Sequence, residues 1–267
     1  MSLGLSLRDA TGSEIAAPVD GPIVSLVPSL TETLFAIGAG DRLAGRTDYC
    51  VEPAGEVDRV PACRGTKNPD LDRVVALRPA LVLANLEENT PRAVARLRAA
   101  GVPVFVTYPR TVGEGIETVR LLGRLAGGAA ERRALALARD LDAVLAAVRA
   151  RAAGRPRRRV FCPIWKGPWM AFSADTYAHD LLGVCGGENV LADGPRRYFP
   201  VTLAEVAARR PEVALLPDEP FAFGPEHAAE VAAALPGVPV RLVSGRHLTW
   251  YGPAIGPGLP AIAAAVA

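Results

Sequence analysis

No stretch of this 267-residue chain is long and apolar enough to span a bilayer. Met1 to Ala17 lacks a basic segment followed by an apolar one, so no export signal is visible. The chain therefore either stays in the cytoplasm or works in the cell envelope after losing a leader. Charge of one sign is not in excess either: a net +2 is too small to argue for nucleic acid. The one dense basic run, Arg155, Arg157, Arg158 and Arg159, reads as a solvated linker rather than a nucleic-acid patch. Cys50, Cys63, Cys162 and Cys185 form no CxxC pair and no zinc-ligand spacing. They read as buried thiols, with a Cys50–Cys63 disulfide as the rival in an oxidising compartment. There is no complete GxGxxG, Walker A, GxSxG or HExxH pattern; Gly113-Glu114-Gly115 lacks the third glycine. His179, His227 and His247 are far apart in sequence. These absences weigh against an enzyme, an intrinsic cofactor and a metal centre. Glu87, Glu219 and His247 are the residues to inspect for acid–base chemistry if there is any.

Half of the residues are hydrophobic, enough for a core in each of two lobes. Strands and helices alternate throughout. Ile23–Val27 is a short apolar run of the kind that forms a buried parallel strand. Ser29 and Glu32 after it have capping-box spacing. The same order then appears twice. LDRVVALRPALVLA from Leu71 aligns with LAEVAARRPEVALL from Leu203, 132 positions on, and Gly101-Val102-Pro103-Val104 aligns with Gly237-Val238-Pro239-Val240. Such a match implies two lobes of like architecture. Ala129–Ala153 has no proline or glycine and is rich in strong helix formers. A helix there would run roughly 35 Å and limit the lobes to small rotations. The expected fold is α/β: two similar lobes with mostly parallel sheets, residues 1–127 and 155–267, joined by one long helix over 128–154.

Eleven of the fifteen Phe, Trp and Tyr residues fall between Phe161 and Tyr251. Trp165, Trp169, Phe221, Phe223, Trp250 and Tyr251 sit in loops beyond expected strand ends, where open α/β sheets bind ligands, and Tyr198 and Phe199 in a loop with Arg196 and Arg197. Rings there offer broad apolar contact to a flat or bulky molecule. The first half offers polar groups instead: Tyr49 after one strand, Arg64 and Lys67 in a loop, and Asn85, Glu87, Glu88 and Asn89 after another. An apolar wall facing a polar one across a cleft would suit a large amphipathic ligand.

IVSLVPSLTETLFAIGAGDRLAGRTDYC, GTKNPDLDRVVALRPALVLA and GVPVFVT resemble the first lobe of the helical-backbone substrate-binding proteins of ABC transporters. DTYAHDLLGVCGGENVLAD, VTLAEVAARRPEVALLP and LTWYGP resemble the second lobe, especially of the cobalamin-binding-like branch. The resemblance implies a class III periplasmic binding protein-like fold and no catalysis. It implies a cobalamin, ferric siderophore or haem ligand between the lobes, delivery to an ABC permease, and a monomer; the alternative is a cytoplasmic corrinoid or metal-chelate binding or sensing protein of the same fold with no transporter role. Tyr49 matches an aromatic position near the cleft, and the loop before Trp250 a ligand-contacting loop. The loop Cys63–Gly65 matches one that carries a cleft tryptophan; here the aligned residue is Cys63. Asp72 matches the first permease-docking carboxylate; at the second, Ala204 aligns and Glu205 is its neighbour.

Overall fold

The computed structural model describes residues 5–267; the first four residues of the stretch read for an export signal lie outside the described residues. Two compact units result. Unit 1 holds the chain up to Pro109, then Gly115–Arg139 and Tyr251–Pro253; unit 2 holds Arg110–Glu114, Asp140–Trp250 and Ala254–Ala267.

Unit 1 is built on a parallel sheet of four strands, β3 (Ile23–Ser25), β4 (Leu43–Arg46), β5 (Leu81–Asn85) and β6 (Val104–Thr107), in the order β4-β3-β5-β6. Every residue of β3, β5 and β6 is buried, as a sheet covered by helices on its faces requires. The covering helices are α1 (Pro28–Ala36), α2 (Leu71–Ala76), α3 (Pro91–Ala99) and the 115–126 part of α4 (Val112–Ala126). Val24, Val74, Val82, Leu97, Val104 and Val106 pack as one core. The expected Ser29–Glu32 capping box does not form. Pro28, with its fixed φ and missing N–H, takes the first helical position, so extended Val27 is the cap and buried Ser29 lies inside the first turn.

An antiparallel hairpin, β1 (Leu5–Arg8) with β2 (Glu14–Ala17), precedes this sheet and was not foreseen from sequence. Asp9 organises its turn: one carboxylate oxygen accepts from the Thr11 and Ser13 N–H groups, the other from Arg98 and the Val106 N–H.

Unit 2 repeats the plan. Strands β7 (Arg158–Phe161), β9 (Gly187–Asn189), β11 (Val213–Pro217) and β12 (Val240–Val243) form a parallel sheet in the order β12-β11-β7-β9. Helices α6 (Tyr177–Val184), α7 (Leu203–Ala208), α8 (Pro225–Ala234), α9 (Gly245–Thr249) and α10 (Ile255–Val266) accompany it. Unit 2 also carries a two-stranded antiparallel sheet, β8 (Met170–Phe172) with β10 (Tyr198–Pro200), inserted between β7 and α7, whereas that of unit 1 precedes its parallel sheet. Arg158 and Arg159 of the basic run are strand residues, not linker: they bond the carbonyl of Ala267, the carboxylate of Glu188 and the carbonyls of Arg209 and Arg210.

The long helix expected between the lobes is α5, Gly128–Ala152; residues 128–139 belong to unit 1 and 140–152 to unit 2. No helix among the described residues is long and apolar enough to cross a membrane. All four cysteines are buried and free; Cys50 Sγ lies 3.1 Å from the Thr31 hydroxyl and 3.2 Å from that of Thr47.

Candidate functional site

At the carboxyl end of the unit 1 sheet the chain fixes a polar loop by side-chain hydrogen bonds. Asn85, the last residue of β5, is buried; its Oδ1 accepts the N–H of Glu87 and its Nδ2 donates to the Tyr251 hydroxyl (3.0 Å) and to Thr107 Oγ1 (3.3 Å). Asn89 closes the other side: its Oδ1 accepts the Asn85 N–H, and its Nδ2 donates to the carbonyls of Leu26 and Thr66. Every polar atom of these two amides that points inward finds a partner, as burial demands. Tyr251 is a member of this network. Its ring is buried, and burial pushes its phenol well above the usual tyrosine range; the Glu88 charge adds to this, and hydrogen bonds with Thr107 and Asn85 only partly offset it.

Around that network stand the exposed groups that the sequence singled out. Lys67 donates to the carbonyl of Glu87, which ties two loops together. Arg64 has a left-handed backbone (φ 63°) that holds its guanidinium outward, 4.0 Å from Asp70. Tyr49, in the loop after β4, is 63 % exposed. A side chain at Gly65 would run into Asn68 Oδ1 at 2.6 Å and lie 3.3 Å from the Tyr49 ring. Cys63, aligned with an aromatic position of the resembled family, is buried among Val24, Val74 and Val82 and presents nothing outward.

The carboxyl end of the unit 2 sheet is made differently. After β7 the chain turns sharply at Gly167 (φ 90°) and pairs Trp165 with Met170, so Trp165 sits at a hairpin tip, 46 % exposed. Its ring meets Phe221 edge-on (centroids 5.4 Å apart); Phe221 tilts against Phe223, and Phe223 lies flat on Trp169 at 5.5 Å. Trp169 is buried in the unit 2 core, its indole N–H donating to Glu230, while Lys166 pairs with the same carboxylate and holds it below the usual glutamate range. Trp165 is thus the outer ring of a packed aromatic base. Tyr198, on β10, is 38 % exposed with Arg197 over its ring.

A second group follows β11 and β12. Gly245 N–H donates to Asp218, and a side chain at Gly245 would run into the Glu219 carbonyl at 2.3 Å, so the two loops touch backbone to backbone. This approach sets Glu219, half-buried, 3.8 Å from Arg246, whose guanidinium lies over the buried Trp250 ring at 5.2 Å. Burial raises the Glu219 carboxyl above its ordinary range, against the pull of Arg246 and a hydrogen bond with Trp250. His247, partly exposed, is the next residue of the same short helix.

The structure therefore brings Glu219, Arg246 and Trp250 into one group, with His247 only adjacent in sequence, and Trp165 with Phe221 into another. It places Trp169, Trp250 and Tyr251 behind the surface rather than on it. Asn85, Asn89 and Thr107 carry the unit 1 loops, and sequence reasoning gave Thr107 no role; a polar residue ending an all-apolar strand was the available signal. No group of three or more His, Cys, Asp or Glu among the described residues is arranged to hold a metal ion. Of the expected docking pair, Asp72 is exposed in the first turn of α2 and bonded by Arg96. Glu205 is exposed too, and completes a capping box with Thr202 on α7.

Residues 23–221 match the family model described as periplasmic binding protein. The chain is 31 % identical over 195 residues to a vitamin B12-binding protein of Salmonella typhimurium, covering 73 % of this chain and 71 % of that one. It is 29 % identical over 194 residues to one of Vibrio parahaemolyticus, covering 72 % and 68 %. Among solved structures, the periplasmic vitamin B12-binding protein of Vibrio cholerae superposes with a TM-score of 0.80 at 23 % identity, over 94 % of this chain and 96 % of that one. A periplasmic heme-binding protein from Roseiflexus sp. RS-1 gives 0.76 at 24 % identity, over 92 % and 98 %. At those identities the structural likeness speaks for the fold.

Proposed function

We propose, from the premise that the chain belongs to the periplasmic binding protein family, that it captures a corrinoid in the cell envelope and hands it to an ABC importer. Haem and ferric siderophores are the neighbouring members of the same ligand class. The observation that carries this reading is Trp165: a large ring nearly half exposed, at the carboxyl end of a parallel sheet, backed by Phe221, Phe223 and Trp169. An exposed tryptophan on so stiff a base is preorganised to lie against a bulky apolar face, because little side-chain freedom is left to lose on binding. The vitamin B12-binding relatives favour a corrinoid within the class.

In this reading the ligand-binding residues are Trp165, Tyr198, Glu219, Arg246, His247, Tyr49, Arg64, Lys67 and Glu87. Trp169, Trp250 and Tyr251 act from behind by fixing those groups. The corrinoid is cargo and not a resident cofactor. Asp72 and Glu205 meet basic groups of the permease.

The test is to mix the protein with cyanocobalamin, haem and several ferric siderophores and to follow visible absorbance through gel filtration. A corrinoid band should travel with the protein. Trp165→Ala should weaken that binding by about 1–3 kcal/mol, the value of a large ring covering a ligand. A corrinoid that elutes free while haem is retained moves the assignment to haem; no retained colour from any of the three ends it. Asp72→Asn with Glu205→Gln should leave corrinoid affinity intact and impair uptake in cells, and normal uptake would remove the docking assignment.

A further inference from the structure

Unit 2 has a second concave feature, at the opposite end of its sheet from the loops just described. A cavity of about 480 Å³ is lined by Arg149, Arg155, Arg157, His179 and Asp180, together with small residues that end α5 and α6. Arg157 immediately precedes β7 and Gly186 immediately precedes β9, so the cavity lies at the amino ends of these two parallel strands. The chelate site proposed above uses carboxyl ends only, and this inference does not rest on it.

The charges around the cavity are not used up by the fold. Of the basic run noted in the sequence, Arg158 and Arg159 are consumed by strand-edge and loop carbonyls and by Glu188. Arg157 donates to the carbonyls of Gly183, in the last turn of α6, and of Gly187, the first residue of β9. Arg149 and Arg155 are exposed at the cavity, and neither has a carboxylate partner among the described residues. Asp180, the one acid in the lining, accepts the backbone N–H of Val112. Two helix carboxyl ends contribute about half a negative charge each. Three guanidiniums outweigh them and Asp180 together, so the cavity is left positive. His179 lines the same cavity, while its Nδ1 is turned inward, buried with no hydrogen-bond partner among the described residues.

We infer that this cavity binds a small organic phosphate monoester, with Arg149 and Arg155 donating to its terminal oxygens and the His179 ring beside it in the lining. Guanidinium forks suit a tetrahedral oxyanion, and two of them together can engage its three terminal oxygens. The volume is within the range of small-molecule sites and exceeds what a bare phosphate fills, which leaves room for an organic body.

The intact protein is titrated calorimetrically at low salt with glycerol 3-phosphate, with glycerol and a carboxylate of similar size as comparisons, while the His179 ring signals are followed by NMR. The monoester should bind saturably and shift the His179 signals, and glycerol should not bind. Arg149→Gln with Arg155→Gln should weaken binding about tenfold or more, as expected for losing two charged hydrogen-bond donors. Both side chains are exposed, so the variant should keep its circular dichroism spectrum and its affinity for the chelate. Equal binding by parent and variant, unmoved His179 signals or equally tight carboxylate binding overturns the assignment. Binding seen only on phosphatidic-acid vesicles does so as well, in favour of a membrane contact.

Discussion

Leu71–Asn85 in unit 1 and Leu203–Pro217 in unit 2 build one backbone twice. Each begins with a side-chain helix cap, Asp70 accepting from the Arg73 N–H and Thr202 from that of Glu205. Each ends its helix in a left-handed arginine before a proline, Arg78 at φ 45° and Arg210 at φ 47°. Each then runs into a fully buried five-residue strand. Beyond the strand the likeness stops. In unit 1 the next loop is held by the Asn85–Asn89–Thr107–Tyr251 hydrogen bonds; in unit 2 it is held by aromatic packing from Phe221 and Phe223 onto Trp169. One frame thus carries a polar face and an apolar face, because the frame is set by buried strands and caps while the loops answer only to their own packing.

The sharpest way to break the apolar half is Trp169→Ala. The ring is buried, stacked on Phe223 and bonded to Glu230, so its loss should cost about 3–5 kcal/mol and shift the urea midpoint accordingly. It should also weaken corrinoid binding, because Trp165 loses its base. A stable variant with full affinity would show that the aromatic stack supports nothing.

The polar half answers to Asn85→Ala. That change strips partners from the Glu87 N–H and the Tyr251 hydroxyl inside the fold, at an expected cost of about 2–3 kcal/mol. Unlike Trp169→Ala, it should leave a near-native apolar surface and loosen the loop over residues 86–89 in hydrogen exchange. A loss below about 0.5 kcal/mol would mean that ordered water replaces the side chain without penalty.

Glu87 and Glu219 occupy equivalent places, two residues past their strands, yet only Glu219 is drawn in beside Arg246 and Trp250. A carboxyl whose pKa is raised by folding stabilises the protein below its unfolded pKa, and that contribution is lost as pH rises through the folded value. At neutral pH the charged Glu219 is therefore a cost. Glu219→Gln should melt higher than the parent at pH 7, and the gain should vanish as the pH falls below about 4.5, the ordinary glutamate value. A gain that is the same at every pH would remove the burial argument.

The repeated frame was readable in the sequence because caps, Arg-Pro stops and all-apolar strands are local signals. The Asn85–Tyr251 bond was not, since it joins residues 166 positions apart and leaves no periodic trace. Three-residue strands such as β8–β10 are too short for a period to show. Helix α10 was hidden by Gly256, Pro257, Gly258 and Pro260, although Ile255, Leu259, Ile262 and Val266 already had helical spacing and all are buried. Trp165, Trp169 and Trp250 looked alike as loop aromatics; their different exposure depends on Phe223, Glu230 and Glu219, which come from other parts of the chain.

The smallest expected effect tests the frame itself. Arg78 and Arg210 hold a conformation that costs an L-residue about 1–2 kcal/mol, part of which glycine would return as unfolded-state entropy. Arg78→Gly and Arg210→Gly should each stabilise the protein by about 0.5 kcal/mol, and by nearly the same amount. Both N–H groups donate to the carbonyl three residues back, Val75 and Ala207, but the surroundings differ in that the Arg210 carbonyl also accepts from Arg159. Equal gains would mean that the backbone alone fixes the turn in both units. A gain in one and a loss in the other would mean that an arginine side chain holds its loop, and that the two units share a shape for different physical reasons.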